Sequence, residues 1–204
     1  METQLANAAD ALKQVKATKT TVDNATNARK DIFTPIRKLC TRIVNALAGC
    51  DVDEGVVENA KTINGKLQGK KASKDETPET PATPDTPVPK KISASQQSFD
   101  NLVDHFDKLV ELLKQQSNYI PNEVELQTSS LIALSGNFTT ANDAVVDAIT
   151  EWSNAMIERD RRLYAAKTGI IDTVADVKDY VKSVYNATSR EYKQLSSIQF
   201  KHSN

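Results

Sequence analysis

The chain of 204 residues is long enough for one large domain or two small ones. Its 26 basic residues nearly balance its 27 acidic residues, so we expect no nucleic-acid partner, because polyanion binders usually carry a basic excess. The 6 glycines and 5% aromatic residues disfavour sandwiches and barrels, and they predict an all-α fold.

The first predicted helix runs from Glu2 to about Lys30. Apolar or small residues recur there at spacings of three and four, which is typical of a heptad seam and a coiled coil. They are Leu5, Ala8, Leu12, Val15, Thr18, Val22 and Ala25. Because Ala and Thr fill part of this seam, we expect the helix to need a partner for stability.

A medium helix and a short helix are predicted next, in "DIFTPIRKLCTRIVNALAGCDVDEGVVENAK". Its apolar stripe ends at the polar break "GCDVD", where Asp51 or Asp53 is a suitable N-cap. Cys40 lies on the stripe, and we expect Cys40 and Cys50 to be free, partly buried thiols. Two cysteines are too few for a disulfide framework. A single disulfide between them stays an alternative.

A segment without apolar pattern follows, "KASKDETPETPATPDTPVPKKIS", from Lys71 to Ser93. Its five prolines exclude helix and predict a disordered linker or loop over about residues 70–94. It either tethers two modules, residues 1–69 and 95–204, or forms a surface loop on one bundle. We favour one elongated bundle with a core shared by both halves, since each half alone would have a thin core.

A strongly amphipathic helix is predicted after this segment, with Ser93 or Ser95 as its N-cap. His105 lies beside its apolar stripe, and we expect it at the surface or boundary. The stripe consists of Phe99, Leu102, Val103, Phe106, Leu109, Val110 and Leu113.

A long helix is then predicted from about Glu123 to about Lys167, with Asn122 as a plausible cap and Gly136 as its weak point. It has a heptad-like seam of Leu131, Leu134, Phe138, Ala141, Val145, Ala148, Trp152 and Ala155.

The stretch from Gly169, "GIIDTVADVKDYVKSVYNATSREYKQLSSIQ", resembles the earlier stretch from Asp31. Aligned without gaps, the two apolar stripes coincide, and each is followed by a polar break with N-cap residues, here Thr188 and Ser189. We therefore predict a duplicated unit of long, medium and short helices. Tyr185 extends the stripe and is predicted to be core, whereas Tyr180 lies off it and is a candidate interaction anchor.

The phrase "DVKDYVKSVYNATSREYKQLSSIQF" resembles the "VKKYVKSVFG…SPQYKQ(I/V)SG(I/L)F" ending of a family of uncharacterised all-helical proteins from Bacteroidetes and related bacteria. "QSFDNLVDHFDKLVELLK", "YIPNEVELQTSSL" and "TRIVNALAG" with "AKTINGKLQGKKASK" resemble other parts of that family, so the likeness covers most of the chain. At "NATSREYKQ" the family's Gly and Pro are replaced. The resemblance implies a helical fold and a bacterial source, but no activity.

Sequence motifs for chemistry are absent. No H-x-x-x-H, E-x-x-H or C-x-x-C spacing suggests a metal site, and no nucleotide or nucleophile motif occurs. We therefore expect no enzyme, no cofactor, no metal site and no catalytic residue. No signal peptide or transmembrane run is visible, which predicts a cytoplasmic protein.

The function predicted is a non-enzymatic structural or protein-interaction role, with a protein partner or self-association. The alternative is a membrane- or envelope-surface-active helical protein, for which the sequence gives no direct signal. Candidate partner contacts are Tyr180, Ile198 and Phe200 near the C-terminus. Candidate contacts to an anion are the lysines of "KLQGKKASK", namely Lys66, Lys70, Lys71 and Lys74.

Overall fold

The computed structural model describes residues 2–69 and 97–199, and all regular structure in these ranges is helical, as predicted. The helices are α1 (Glu2–Phe33), α2 (Ile36–Ala48), α3 (Glu54–Leu67), α4 (Phe99–Lys114), α5 (Thr128–Tyr164), α6 (Ile170–Tyr185) and α7 (Arg190–Ser196). The predicted linker, with Ser93 and Ser95, lies outside the described residues.

Proline and short polar residues set several helix ends. α1 ends at Phe33 because Pro35 disfavours a helical conformation at the residue before it, and Pro35 itself fits the start of α2. Asp53 caps α3 by accepting a hydrogen bond from the Gly55 amide, and Ser189 caps α7 through the Tyr192 amide, as predicted. The cap of α4 is Ser98, whose side chain accepts from the Asn101 amide.

The start of α5 differs from the prediction. The helix begins at Thr128, not near Glu123, and a 3-10 turn occupies Val124–Leu126. The buried hydroxyl of Tyr119 donates to the Leu126 carbonyl at 2.9 Å, which holds this turn in place. Because this hydrogen bond stabilises a 3-10 turn at Val124–Leu126, the cap predicted at Asn122 does not start the helix.

The described chain divides into two compact units, and α1 and α5 contribute residues to both. We call residues 27–144 the core unit, and residues 1–26 with 145–204 the paired-helix unit. Among described residues, the core unit contains the end of α1, all of α2, α3 and α4, and the start of α5. The paired-helix unit contains the rest.

The core unit is built around large apolar side chains from every one of its helices. Phe138 of α5 stacks on Phe33 with ring centroids 4.5 Å apart, and it meets Phe106 of α4 edge-on at 5.3 Å. The predicted stripe of α4 is buried or half-buried here, and Cys40 lies fully buried on α2. Burial of this stripe explains why α2, α3 and α4 form helices together.

The two ends of the undescribed segment 70–96 lie close together in the core unit. The Gln97 side-chain amide donates to the Lys66 carbonyl at 2.7 Å and accepts from Arg37 at 2.7 Å. Gly69, with a positive φ of 72°, closes α3 directly beside Gln97. The described residues on either side of this segment, Gly69 and Gln97, are therefore neighbours.

In the paired-helix unit, α1 and α5 run antiparallel. The Gln4 amide donates to the Thr168 carbonyl at 3.3 Å, and the Lys19 ammonium lies 5.8 Å from the centre of the Trp152 ring. The buried side chains here are small: Ala8, Thr18, Val22, Val145, Ala148 and Ala155. Leu5 and Leu12, predicted in this seam, are exposed, because small residues bring the helices together and leave the leucines at its edge.

Candidate interaction surface

Helices α6 and α7 form the C-terminal part of the paired-helix unit. α6 is amphipathic, with the half-buried stripe Ile170, Val174, Val177 and Val181. It ends at Tyr185, and its C-cap Asn186 has a φ of 69°, a positive value that residues other than glycine rarely adopt. The Lys178 ammonium donates to the Ile198 carbonyl, which ties the end of α7 back to α6.

Four large apolar or aromatic side chains of this hairpin are exposed, and we call them the α6–α7 patch: Tyr180, Val184, Tyr185 and Ile198. Tyr180 is 69% exposed, consistent with its predicted position off the stripe. Tyr185 is 53% exposed, so its predicted place in the core is wrong. It is the last residue of α6, and no described helix covers it.

The amphipathic stripe of α2 is buried to a greater extent than that of α6. α2 buries five side chains in the core unit, whereas no residue of α6 or α7 is buried. Apolar surface left in contact with water contributes nothing to stability. α6 thus carries an amphipathic pattern like that of α2, but much of its apolar surface remains accessible to another molecule.

Of the other predicted contact residues, Phe200 lies outside the described residues, as do Lys70, Lys71 and Lys74. Lys66 is exposed near the end of α3, where its charge acts on Asp104 of α4. The nearby Lys108 ammonium is 2.6 Å from the Asp104 carboxylate and lowers the pKa of that carboxyl. Lys66 therefore has an acidic neighbour, which weakens any positive field there.

His105 is buried, with 6% exposure, which corrects its predicted place at the surface or boundary. It follows Leu102 by three residues and precedes Leu109 by four, so the spacing did carry a signal of burial. Neither ring nitrogen has a hydrogen-bond partner, and Nδ1 is 3.7 Å from the Asp104 carboxylate. Burial lowers the pKa of His105, so the ring is neutral at pH 7.

The cysteines and the acidic residues do not form a metal-binding group in the described ranges. Both cysteines are free, and burial raises the pKa of the Cys40 thiol to about 12, which leaves it protonated at neutral pH. Across residues 2–69 and 97–199, no three His, Cys, Asp or Glu side chains come together as ligands for a metal ion.

A shallow groove of about 690 Å³ lies between α2 and the start of α5 in the core unit. Leu39 and Leu134 line it, and an ion pair of 2.6 Å between Arg42 and Glu125 stands on its rim. The ion pair raises the pKa of the guanidinium and lowers that of the carboxyl, so both groups stay charged. The lining combines apolar side chains with polar and charged ones, among them Lys38, Ser130 and Asn137.

Comparisons of the chain with protein-family models, with curated protein sequences and with solved structures found no match. None of the described helices is both long enough and apolar enough to cross a membrane.

Proposed function

We propose that this is a non-enzymatic helical protein that acts by binding another protein, and that the α6–α7 patch is its contact surface. One observation carries the proposal: α2 buries its amphipathic stripe in the core unit, whereas α6 buries no side chain. Exposed tyrosines among aliphatic side chains are typical of binding hot spots, because Tyr provides large apolar area and a polar hydroxyl.

The proposal includes an origin of the chain by duplication. α1, α2 and α3 have 32, 13 and 14 residues, and α5, α6 and α7 have 37, 16 and 7, so each set begins with a long helix that two much shorter helices follow. The proposal also includes three predictions from the sequence: a disordered linker, coiled-coil pairing and membership of the bacterial family. In this scheme the first copy supplies core, and the second copy supplies the exposed surface.

A capture experiment tests the role of the patch. The tagged full chain is crosslinked in a lysate of its native cells, and bound proteins are identified by mass spectrometry. The test variant combines Tyr180→Lys and Val184→Lys, and the matched control combines Ile120→Lys and Val124→Lys, which are exposed in the core unit. We expect a partner that the control retains and the test variant loses. Equal recovery with all three proteins would exclude the patch as the contact surface.

Vesicle co-sedimentation separates this role from action at a membrane surface. We expect the wild-type chain to stay in the supernatant with neutral and with anionic vesicles. If it pellets with vesicles, and the Tyr180→Lys/Val184→Lys variant does not, the patch binds lipid, and the membrane-surface role replaces the one proposed.

A further inference from the structure

Of the three helices that lie wholly in the core unit before α5, helix α3 buries the fewest side chains. It buries Ala60 and Leu67, whereas α2 buries five side chains and α4 buries six. Gly65 lies inside α3, and a glycine there costs about 1 kcal/mol against alanine. The phenylalanines that contact one another in the core unit come from α1, α4 and α5. α3 packs on α2 and α4, so it can separate from them without breaking these ring contacts.

His105 lies on the side of α4 that faces α3. The other side of α4 faces α5, because Asp100 and Asp107 accept hydrogen bonds from side chains of α5. At roughly 100° per residue, His105 lies about 140° or more around the helix from both aspartates. Lys66 of α3 is close enough for its charge to act on the ring. α3 is therefore the helix that lies over this side of α4.

The surroundings of His105 favour an uncharged ring. The ring is buried, and neither of its nitrogens has a hydrogen-bond partner among the described residues. Nδ1 is 3.7 Å from the Asp104 carboxylate, which is too long for a hydrogen bond. Within residues 2–69 and 97–199, the charged groups that act on the ring are Lys66 of α3 and Asp104 and Lys108 of α4. Burial has the largest effect on the pKa of the ring and lowers it, the two lysines lower it further, and Asp104 alone raises it.

We propose that His105 is a pH-sensitive switch: when its buried ring takes up a proton, α3 separates from α4 and the core unit opens on this side. Separation brings water to both ring nitrogens and moves Lys66 away, so it relieves burial and one of the two repulsive charges. Leu102 and Leu109, which flank His105 on α4, are then uncovered. Mild acid thus exposes an apolar surface that is buried at neutral pH.

The pH range of the switch follows from the two states of the ring. In the closed state the pKa of the ring is lowered, and in the open state it returns to its ordinary value of about 6.5. The open state therefore binds the proton more readily, and it gains population as the pH falls below about 6.5. Histidine is the side chain whose ordinary pKa suits a change in this range. The switch does not depend on the α6–α7 patch, so either proposal can fail without the other.

Hydrogen exchange of the full chain between about pH 7.5 and pH 5.5 tests the switch. Each rate is divided by the intrinsic chemical rate at the same pH, so that only opening is compared. In wild type we expect the protection of α3 amides to fall severalfold over this range, while the protection of α4 amides stays unchanged. His105→Leu and His105→Gln, which cannot titrate, should abolish the fall. His202→Leu removes the only other histidine and should keep it.

A lysine variant tests the part that α3 plays. Lys66→Met removes a charge that opposes protonation in the closed state, so the fall in α3 protection should be smaller than in wild type. Lys61→Met is the matched control, because Lys61 is the other lysine of α3 and pairs with Glu58, and it should respond as wild type does. The proposal is overturned if α3 protection in wild type does not depend on pH, or if the fall persists without His105. Equal losses in α3 and α4 would also overturn it, since the whole core unit would then be unfolding.

Discussion

His105 has a titratable ring that is buried without a hydrogen-bond partner. Lys66 of α3 and Lys108 of α4 oppose its protonation, Asp104 favours it, and burial outweighs Asp104. The folded-state pKa lies below the unfolded value of about 6.5, so the unfolded chain binds the proton more readily. The contribution of this ring to stability is complete above about pH 6.5 and is lost as the pH falls below it.

We therefore expect the melting temperature of wild type to fall between about pH 7.5 and pH 5, and that of His105→Leu to fall less. At pH 7.5 the variant should be as stable as wild type, or more stable by about 1 kcal/mol, because an unpartnered buried polar ring becomes apolar. Circular dichroism melts measure both. Asp104 does not contribute to this change in melting temperature, since a carboxyl with a lowered pKa titrates below this pH range. Parallel falls in the two proteins would contradict the buried, neutral state of His105.

The two cysteines should differ in reactivity. Cys40 is fully buried with a pKa of about 12, whereas the partly exposed Cys50 has its thiol within 3.2 Å of the Ala46 carbonyl. In native protein at neutral pH we expect an alkylating reagent to modify Cys50 well before Cys40. Mass spectrometry of digests after timed quenching gives the two rates. Unfolding in guanidinium is the control, and it should make the rates similar.

Phe138 joins three helices of the core unit through its contacts with Phe33 and Phe106. Replacing it with alanine removes a fully buried ring and leaves a cavity, so we expect a loss of about 3–5 kcal/mol in the free energy of unfolding. Denaturant unfolding measures the loss. The exposed Ile132 on the same helix is the matched control, and Ile132→Ala should change stability by less than about 0.5 kcal/mol.

Individual elements match the prediction where the pattern within the helix decides, and they depart from it where a contact outside the helix decides. The stripe of α4 and the caps at Asp53 and Ser189 are local, and both were predictable. The 3-10 turn before α5 depends on the hydroxyl of Tyr119, seven residues before Leu126, and helical periodicity does not indicate this hydrogen bond. For the same reason, α2 and α6 have alike patterns but unlike burial, because an amphipathic stripe says that a helix has an apolar side and not what covers it.

The same division applies to the candidate surface. Tyr180 could be singled out from the sequence because it lies off the stripe of α6. Val184 and Tyr185 could not, since periodicity places Tyr185 in a core. The prediction for Leu5 and Leu12 was wrong in a similar way. They have heptad spacing, but the smaller residues Ala8 and Val22 occupy the seam.

Helix α7 should be among the least protected elements. It has seven residues and no buried side chain, so little holds it besides its Ser189 cap and the Lys178 bond to the Ile198 carbonyl. In hydrogen-exchange experiments we expect its amides to exchange far faster than those of α4. Ser189→Ala should speed exchange in α7 further, in line with about 1 kcal/mol for a lost cap, and leave α4 unchanged. Protection in α7 equal to that in α4 would show that another contact holds the hairpin.

At the scale of the whole molecule, the two units bury very different side chains. The core unit encloses phenylalanines, leucines and isoleucines, whereas the paired-helix unit encloses mainly alanine and valine. Each buried methylene adds about 0.8 kcal/mol, so the paired-helix unit has much less hydrophobic stabilisation within one chain. Two-state unfolding is then not expected.

The only tryptophan, Trp152, lies in the paired-helix unit and reports on it selectively. We expect its fluorescence to change at lower denaturant concentration than the circular dichroism signal, which sums over both units. Phe138→Ala should move the circular dichroism transition more than the fluorescence transition, and coincident transitions would contradict the separation.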